Sequence, residues 1–345
     1  MRSVQTLIVG LGLAGATLAL QLLRAKQRIC VISDGQAGAS SVAAGLITPI
    51  TGKKLKVQTD YNQLLRSAVM HYRGAEELLG TPLLHRQRVY RALTTSREQS
   101  AWSERPSLGL PFAYPAAIDD TPLRATAQVL DLAPAYRLDV KAYLAGTEAL
   151  LDAEGLLVRG MLDSRNVTVS ADQVEVAQWR IRAEQIVFCG GITDRDNAWF
   201  SDLSWRPAKG DILTLQLDRS LPSRWHINGH WLTPLDNGLH AYGATYRWSV
   251  FDNTPEDDAR AALEAAFERD FRPPATLIGH AAGVRPIVAG RRPVIAAAPA
   301  SKRVILFNGL GSKGTLYAPA LAGHCYRYLD NRTAALPSQF ALEGR

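Results

Sequence analysis

The chain has 345 residues, 47% of them hydrophobic and 21% charged, which suits a globular protein of two domains with sizeable cores. Three cysteines, Cys30, Cys189 and Cys325, stand far apart with no Cys-x-x-Cys pair. That disfavours a disulfide framework or a zinc site and fits a reducing, cytoplasmic setting. The net charge of +7 is spread thinly and reads as a solvated basic surface more than a nucleic-acid footprint, and no apolar run reaches the length of a membrane span.

Leu7–Val9 reads as a buried parallel strand. Gly10, Gly12 and Gly15 follow at the spacing Gly-x-Gly-x-x-Gly, and a helix runs on through Arg24. Strand, glycine turn and helix together form the context of a dinucleotide site. Gly10 permits the turn, Gly12 opens the backbone to a pyrophosphate, and Gly15 lets helix and strand approach. Gly10, Gly12, Leu13, Ala14 and Gly15 are therefore candidate cofactor contacts, with the pyrophosphate on the positive end of the helix. Arg2 before the apolar stretch is not read as a signal peptide, because the glycines break the run.

The second strand, Arg28 to Ser33, should end in an acidic residue that takes the adenosine ribose. Ser33 occupies that slot and Asp34 comes one residue later, so both are candidates. The small-residue stretch Gly35–Pro49 follows. In it Ser40 and Ser41 can bond phosphate or ribityl oxygens, and Ala43, Ala44, Gly45 and Leu46 leave room for a flat ring. Tyr61–Leu79 has helical spacing, Arg86–Pro134 is rich in short strands and turns, and Asp139–Asp152 reads as an amphipathic helix. Ala183–Cys189 is a strand that ends in Gly190 and Gly191. Trp205–Leu217 alternates as a half-buried strand. Trp225–Trp248 holds further strands with turns at Asn228-Gly229 and Asp236-Asn-Gly238. A helix spans Asp257–Arg269 after Thr254-Pro255. Near the end, Gly283-Val-Arg285-Pro286 precedes a strand through Asn308. The turn Gly309-Leu310-Gly311-Ser312-Lys313-Gly314-Thr315 and a last helix follow.

Gly10–Gly15 with Ala39–Gly45 resembles the FAD-dependent D-amino acid oxidase and glycine oxidase family. The resemblance extends in order through the helix at Asp139, Gly190-Gly191, Gly283–Pro286 and Asn308–Thr315, and so covers the whole chain. It implies an α/β fold: a Rossmann-like FAD-binding domain of the glutathione-reductase type with a second, substrate domain built on a mostly antiparallel sheet. The expected FAD-binding domain is discontinuous, residues 1–60, 135–204 and 280–345, and the substrate domain takes residues 61–134 and 205–279. FAD is expected to bind noncovalently through the residues above, with Gly190, Gly191, Gly309, Leu310, Gly311, Ser312, Lys313, Gly314 and Thr315 closing on the ring.

In such a family the arginine of Gly-x-Arg-Pro, here Arg285, grips a substrate carboxylate through its fork of donors. Trp231 stands where relatives place an aromatic wall, sometimes a tyrosine that shares the carboxylate. Tyr242 and Tyr246 are further pocket candidates, and the catalytic set to test is Arg285, Trp231 and Tyr246. The implied reaction oxidises the C–N bond of a D-amino acid, glycine or N-substituted glycine. Hydride passes to flavin N5, the imine hydrolyses, and oxygen or another acceptor takes the electrons. His226, His230 and His240 read as pocket rim or surface, with no metal site. Two alternatives stay open. One is a flavoenzyme resembling the oxidase half of the tRNA wobble-uridine modification enzymes, with Lys53, Lys54 and Lys56 near RNA phosphate. The other is a flavin-binding protein without turnover.

Overall fold

The computed structural model describes residues 1–51, 55–104, 112–125, 127–248, 250–290 and 292–331. Lys53 and Lys54 lie outside the described residues. Lys56 is exposed in a short strand, Lys56–Val57, paired with Ile50–Thr51.

The first sheet is built on parallel strands. Leu157–Arg159, Ile29–Ser33, Arg2–Val9, Ile181–Phe188 and Ser301–Asn308 lie side by side in that order. Val294–Ala298 adds an antiparallel edge. These strands read as unbroken apolar runs because both faces are covered. Ile8, Ile29 and Val31 face one cluster with the helices, whereas Leu7, Cys30 and Ile32 face a second with Phe188, Phe200 and Val304. The carboxyl ends of the central strands, at Val9, Ser33, Phe188 and Asn308, open on one edge, the usual place for a ligand crevice in such sheets.

Helix α1 (Leu13–Arg24) starts at Gly12 without a side-chain cap. Its entry demands glycine. Gly10 has φ +98°, and a Cβ there would lie 2.6 Å from the Cys189 carbonyl oxygen. A Cβ on Gly15 would overlap the Gly10 carbonyl oxygen, so the helix could not close on the turn. Helix α2 (Tyr61–Leu79) has the predicted limits. It buries Tyr61, Leu64, Leu65, Ala68, Tyr72 and Ala75 in the same cluster as α1. The expected boundary at residue 60 therefore separates a helix from the core it shares.

Helix α3 (Ser96–Ser103) interrupts the stretch read as strands and turns. The Thr95 side chain accepts from the Glu98 amide and Glu98 returns the bond, a capping box. Helix α4 (Val140–Ala153) begins where Asp139 accepts from the Ala142 amide at 2.9 Å.

The second sheet runs Arg247–Trp248, Ala208–Leu217, His240–Gly243, His230–Pro234, Arg224–Ile227, Val89–Leu93, Gln128–Leu132 and Ala113–Ala116, with Ala275–Arg285 along the free side of Ala208–Leu217. All its pairs are antiparallel except Arg224–Ile227 with Val89–Leu93. Asn228 (φ +50°) and Gly229 (φ +89°) make the two-residue hairpin turn that Asn-Gly predicts. Strand Ala275–Arg285 stays in this sheet to its last residue, so the boundary expected at residue 280 falls inside it. Helix α5 (Asp257–Asp270) backs one face, where Leu263, Phe267 and Phe271 pack on Trp225, Leu232 and Tyr242. The other face looks towards the carboxyl edge of the first sheet. Helix α6 (Gly314–Asp330) closes the fold against α1 and α2.

Candidate active site

A cavity of about 1160 Å³ lies between the carboxyl edge of the first sheet and the open face of the second. Gly10, Gly12, Leu13 and Ala14 form one wall, with Ser33 and Asp34 beside them. Ser40, Ser41, Ala43, Ala44, Gly45 and Leu46 line the next stretch, and Gly190, Gly191, Leu310, Gly311, Ser312, Lys313, Gly314 and Thr315 line another. Arg285, Trp231 and Tyr246 come in from the second sheet. Two expected contacts do not reach the wall. Gly15 is buried in the α1 packing, and Gly309 turns the chain against the Arg292 carbonyl oxygen and Val288. Both are glycines because the backbone is crowded, which contact with a ligand does not require.

The small-residue loop is docked on the helix start: the Leu13 amide donates to Ser40 Oγ at 3.1 Å, and Ser41 Oγ donates to the Gly38 carbonyl at 2.7 Å. Ser33 Oγ accepts from the Gly35 amide and Asp34 Oδ1 from the Gln36 amide at 3.0 Å, so both ribose candidates also shape their own turn. Asn253 joins the loop to the second sheet. Its amide donates to the Ala37 carbonyl at 3.0 Å, and its oxygen accepts from the Val284 amide at 3.0 Å. The Gly311 amide donates to the Pro286 carbonyl at 3.1 Å, tying the Gly-x-Arg-Pro segment to the last turn.

Asp194 organises the glycine pair. It is buried, accepts from the Gly190 amide at 2.7 Å and from Asn308 Nδ2 at 2.8 Å, and burial raises its pKa to about 6. Lys313 donates to Gln58 Oε1 at 2.7 Å, and burial lowers its pKa. Thr315 Oγ1 donates to the Leu46 carbonyl at 2.9 Å.

On the second sheet, register decides what faces the cavity. Arg91, His226, Trp231, Gly243 and Ile212 stand opposite one another across successive strands and so share a face. Tyr242 lies one residue off that row. It faces the α5 core, edge-on to Phe267 at 5.3 Å, and is no pocket residue. His240 is likewise buried, with Nε2 3.2 Å from the Leu221 carbonyl oxygen, rather than at the rim, while His226 and His230 line the cavity. Among the described residues no cluster of three or more His, Cys, Asp or Glu could hold a metal, and no helix is long and apolar enough to cross a membrane.

Arg285 ends its strand with its guanidinium 4.8 Å from the Tyr246 ring centroid. Its protein hydrogen bonds are long, Nη1 to the Thr245 carbonyl at 3.4 Å and to the Ala208 carbonyl at 3.5 Å, and burial lowers its pKa. Gly210, its neighbour across the sheet, makes room: a Cβ there would lie 2.5 Å from Arg285 Cζ. Thr245 is fixed in turn by Asp211, whose Oδ2 accepts from Thr245 Oγ1 at 3.0 Å and whose Oδ1 pairs with His280 Nε2 at 3.0 Å. Sequence reasoning missed Asp194, Asn253, Gly210 and the arginines 91 and 224, because pairing between segments distant in the chain is what brings them to the cavity.

A glycine turn feeding an uncapped helix, a cavity at the carboxyl edge of a parallel sheet and a second sheet closing over it define a two-domain, dinucleotide-dependent redox enzyme. The chain belongs to the FAD-dependent oxidoreductase family (DAO), whose profile matches residues 5–327. Glycine oxidase of Pseudomonas putida is 23% identical over 383 aligned residues, covering 99% of each chain. The tRNA 5-methylaminomethyl-2-thiouridine biosynthesis bifunctional protein MnmC of Caulobacter sp. is 27% identical, with 96% of this chain matching 54% of its length. Among solved structures, glycine oxidase from Geobacillus kaustophilus superposes with a TM-score of 0.85 at 20% identity, over 100% of both chains. Iminodiacetate oxidase from Chelativorans sp. superposes with a TM-score of 0.79 at 21% identity, over 99% of this chain and 100% of that one. These structures share the fold. FAD is the cofactor of the family, and the cavity fits it: the glycine turn at the start of α1, the serine loop and a wall of small residues line one continuous cavity.

Proposed function

We propose that the protein oxidises the C–N bond of an amine that carries a carboxylate on the nitrogen-bearing carbon: glycine, an N-substituted glycine or a D-amino acid. The observation that carries this reading is Arg285, a guanidinium on the cavity wall with only long bonds to carbonyls and its fork unmatched by any carboxylate among the described residues. A substrate carboxylate completes it with two charge-assisted bonds. The glycine oxidase relatives and the iminodiacetate oxidase neighbour support the same class.

FAD, when bound, takes the hydride from the carbon that bears the nitrogen. The protein positions the substrate. Arg285 fixes the carboxylate, Tyr246 limits the guanidinium on one side, and Trp231 walls the space beyond. The imine leaves the site and water hydrolyses it. The cofactor is held without a covalent bond. Cys189 is the cysteine on the cavity wall, and burial, with Cys325 and Asp194 nearby, pushes its thiol pKa well up, away from the nucleophilic form.

Anaerobic bleaching of the flavin band by glycine, sarcosine, longer N-alkylglycines and D-amino acids tests the proposal. Bleaching by one class, lost in Arg285→Met, is expected. If no carboxylate-bearing amine bleaches the flavin, the proposal fails. Bleaching by tRNA with binding steep in salt would then favour the RNA-modifying reading that the MnmC likeness keeps in view.

A further inference from the structure

The cavity holds a second guanidinium that the proposed reaction does not use. Arg224 is 3% exposed and lines the cavity wall. Its Nε donates to His226 Nε2 at 3.2 Å, and its guanidinium lies 4.5 Å from the Trp231 ring centroid. Its Nη1 is buried with no hydrogen-bond partner among the described residues. The other buried arginines and the buried lysine each face a carboxylate: Arg91 meets Glu98 at 2.7 Å, Arg137 meets Asp236, and Lys209 meets Glu256 at 2.7 Å and Asp252 at 3.0 Å. Arg224 has none within ion-pair distance among the described residues.

His226 does not supply the missing charge. As acceptor from Arg224 it carries its proton on Nδ1, and burial, then Arg224 and Arg91, pushes its pKa well down, so it stays neutral and orients the guanidinium. Burial also lowers the Arg224 pKa, to about 9, which leaves it charged at neutral pH. A buried, unpaired cation is costly unless something completes it. The position says what that is. Between the strand of Arg285 and the strand of Arg224 stand Ala208–Leu217, His240–Gly243 and His230–Pro234. Four strand spacings of ~4.8 Å lie across the sheet, and the register sets Arg285 level with Ala208 but Arg224 level with Thr214, six residues or ~20 Å along the strands. The backbones therefore lie roughly 28 Å apart, and two long side chains reaching inward leave a gap of about ten bonds.

We infer that the substrate is an N-substituted glycine whose substituent ends in a second carboxylate, held by Arg224 while Arg285 holds the first. This rests on the reading of Arg285 as the carboxylate anchor given above. Trp231 sits between the two on the shared face, with Arg224 stacked on its ring, and lines the path of the apolar linker.

Non-oxidisable ligands give a readout other than turnover. The FAD-loaded enzyme is titrated with linear α,ω-dicarboxylates and with monocarboxylates of equal length, and the shift of the flavin absorption band is followed. One diacid length is expected to bind about 10- to 100-fold tighter than its monoacid, the range for a hydrogen-bonded charge. In Arg224→Met that advantage should vanish, and in Arg224→Lys it should survive in part. Monoacid binding to the same variants reports whether the site is folded. Equal affinities of diacid and monoacid at every length in the unaltered enzyme would overturn the inference without any variant. So would a preference that persists in Arg224→Met, or an equal Arg224-dependent gain from a phosphonate-ended monoacid, which would make the subsite a general oxyanion site. If amines bleach the flavin but diacids show no advantage, the subsite falls alone. If diacids show the advantage but no amine bleaches the flavin, the oxidation reading falls and the subsite stands.

Discussion

Gly210→Ala should separate substrate binding from folding. Gly210 lies in the middle of a paired strand and is not among the glycines with positive φ, so alanine fits its backbone. The new Cβ would collide with one group, the guanidinium of Arg285, with Cζ at 2.5 Å. That is the far end of a flexible side chain, so the fold gives way cheaply. Alanine in place of glycine also restricts the unfolded chain, worth about 0.4–1 kcal/mol, and the expected change in stability is within about 1 kcal/mol. The displaced guanidinium loses its alignment with the carboxylate. A hydrogen bond to a charged group is worth about 1.5–3 kcal/mol, so affinity for a carboxylate-bearing ligand should fall about 10- to 100-fold. Titration of the flavin band with a simple monocarboxylate gives the affinity, and thermal unfolding gives the stability. In an Arg285→Met background the same Gly210→Ala change should cost nothing further in affinity, since both substitutions remove one interaction. Gly210→Ala enzyme that binds carboxylates as tightly as the unaltered protein would show that Arg285 does not bind from this position.

Asp194 has a pKa of about 6 in the fold against 3.8 in the open chain, so the folded apoprotein binds the extra proton between those values. The cost of the buried carboxylate is then full above pH 6 and absent below pH 3.8, roughly 3 kcal/mol in all. The stability of the protein relative to Asp194→Asn should fall by about that much as pH rises through this window, and a flat difference in denaturant titrations would refute it. Glu98→Gln removes the partner of buried Arg91 and should cost about 3–5 kcal/mol, read as a lower denaturation midpoint. Asn253→Ala breaks the bridge from Ala37 to Val284, so it should loosen the serine loop and weaken FAD retention on dilution, with little change in thermal stability once FAD is saturating.

How much of this was legible in the sequence depends on how far each residue's partner lies along the chain. The glycine turn, α2, the Asn228-Gly229 hairpin and the Gly-x-Arg-Pro segment are local signals, and each stands where its spacing put it. Helix α3 was local too. Its Thr95-x-x-Glu98 capping box is written in the sequence, inside a stretch whose prolines and short apolar runs read as strands and turns. Trp231 and Tyr242 are aromatic residues on neighbouring strands of one hairpin, and a single residue of register separates them. Trp231 pairs with Gly243 and faces the cavity, whereas Tyr242 pairs with Leu232 and faces the core.

Arg224 carries the point furthest. In the sequence it is one of 39 lysines and arginines, next to a tryptophan that goes to the core. What sets it apart is pairing between distant segments. Arg224–Ile227 runs parallel to Val89–Leu93, and this brings Arg91 beside His226 on the cavity face. Arg91 arrives with its own carboxylate, because α3 returns Glu98 to it seven residues on. Arg224 arrives with none, and its side-chain hydrogen bond goes to a histidine that accepts from its Nε and stays neutral. Two arginines of the same chemistry on adjacent strands thus differ in one respect, whether the chain supplies the counter-charge, and where the chain does not, the cavity beside it is where a ligand can.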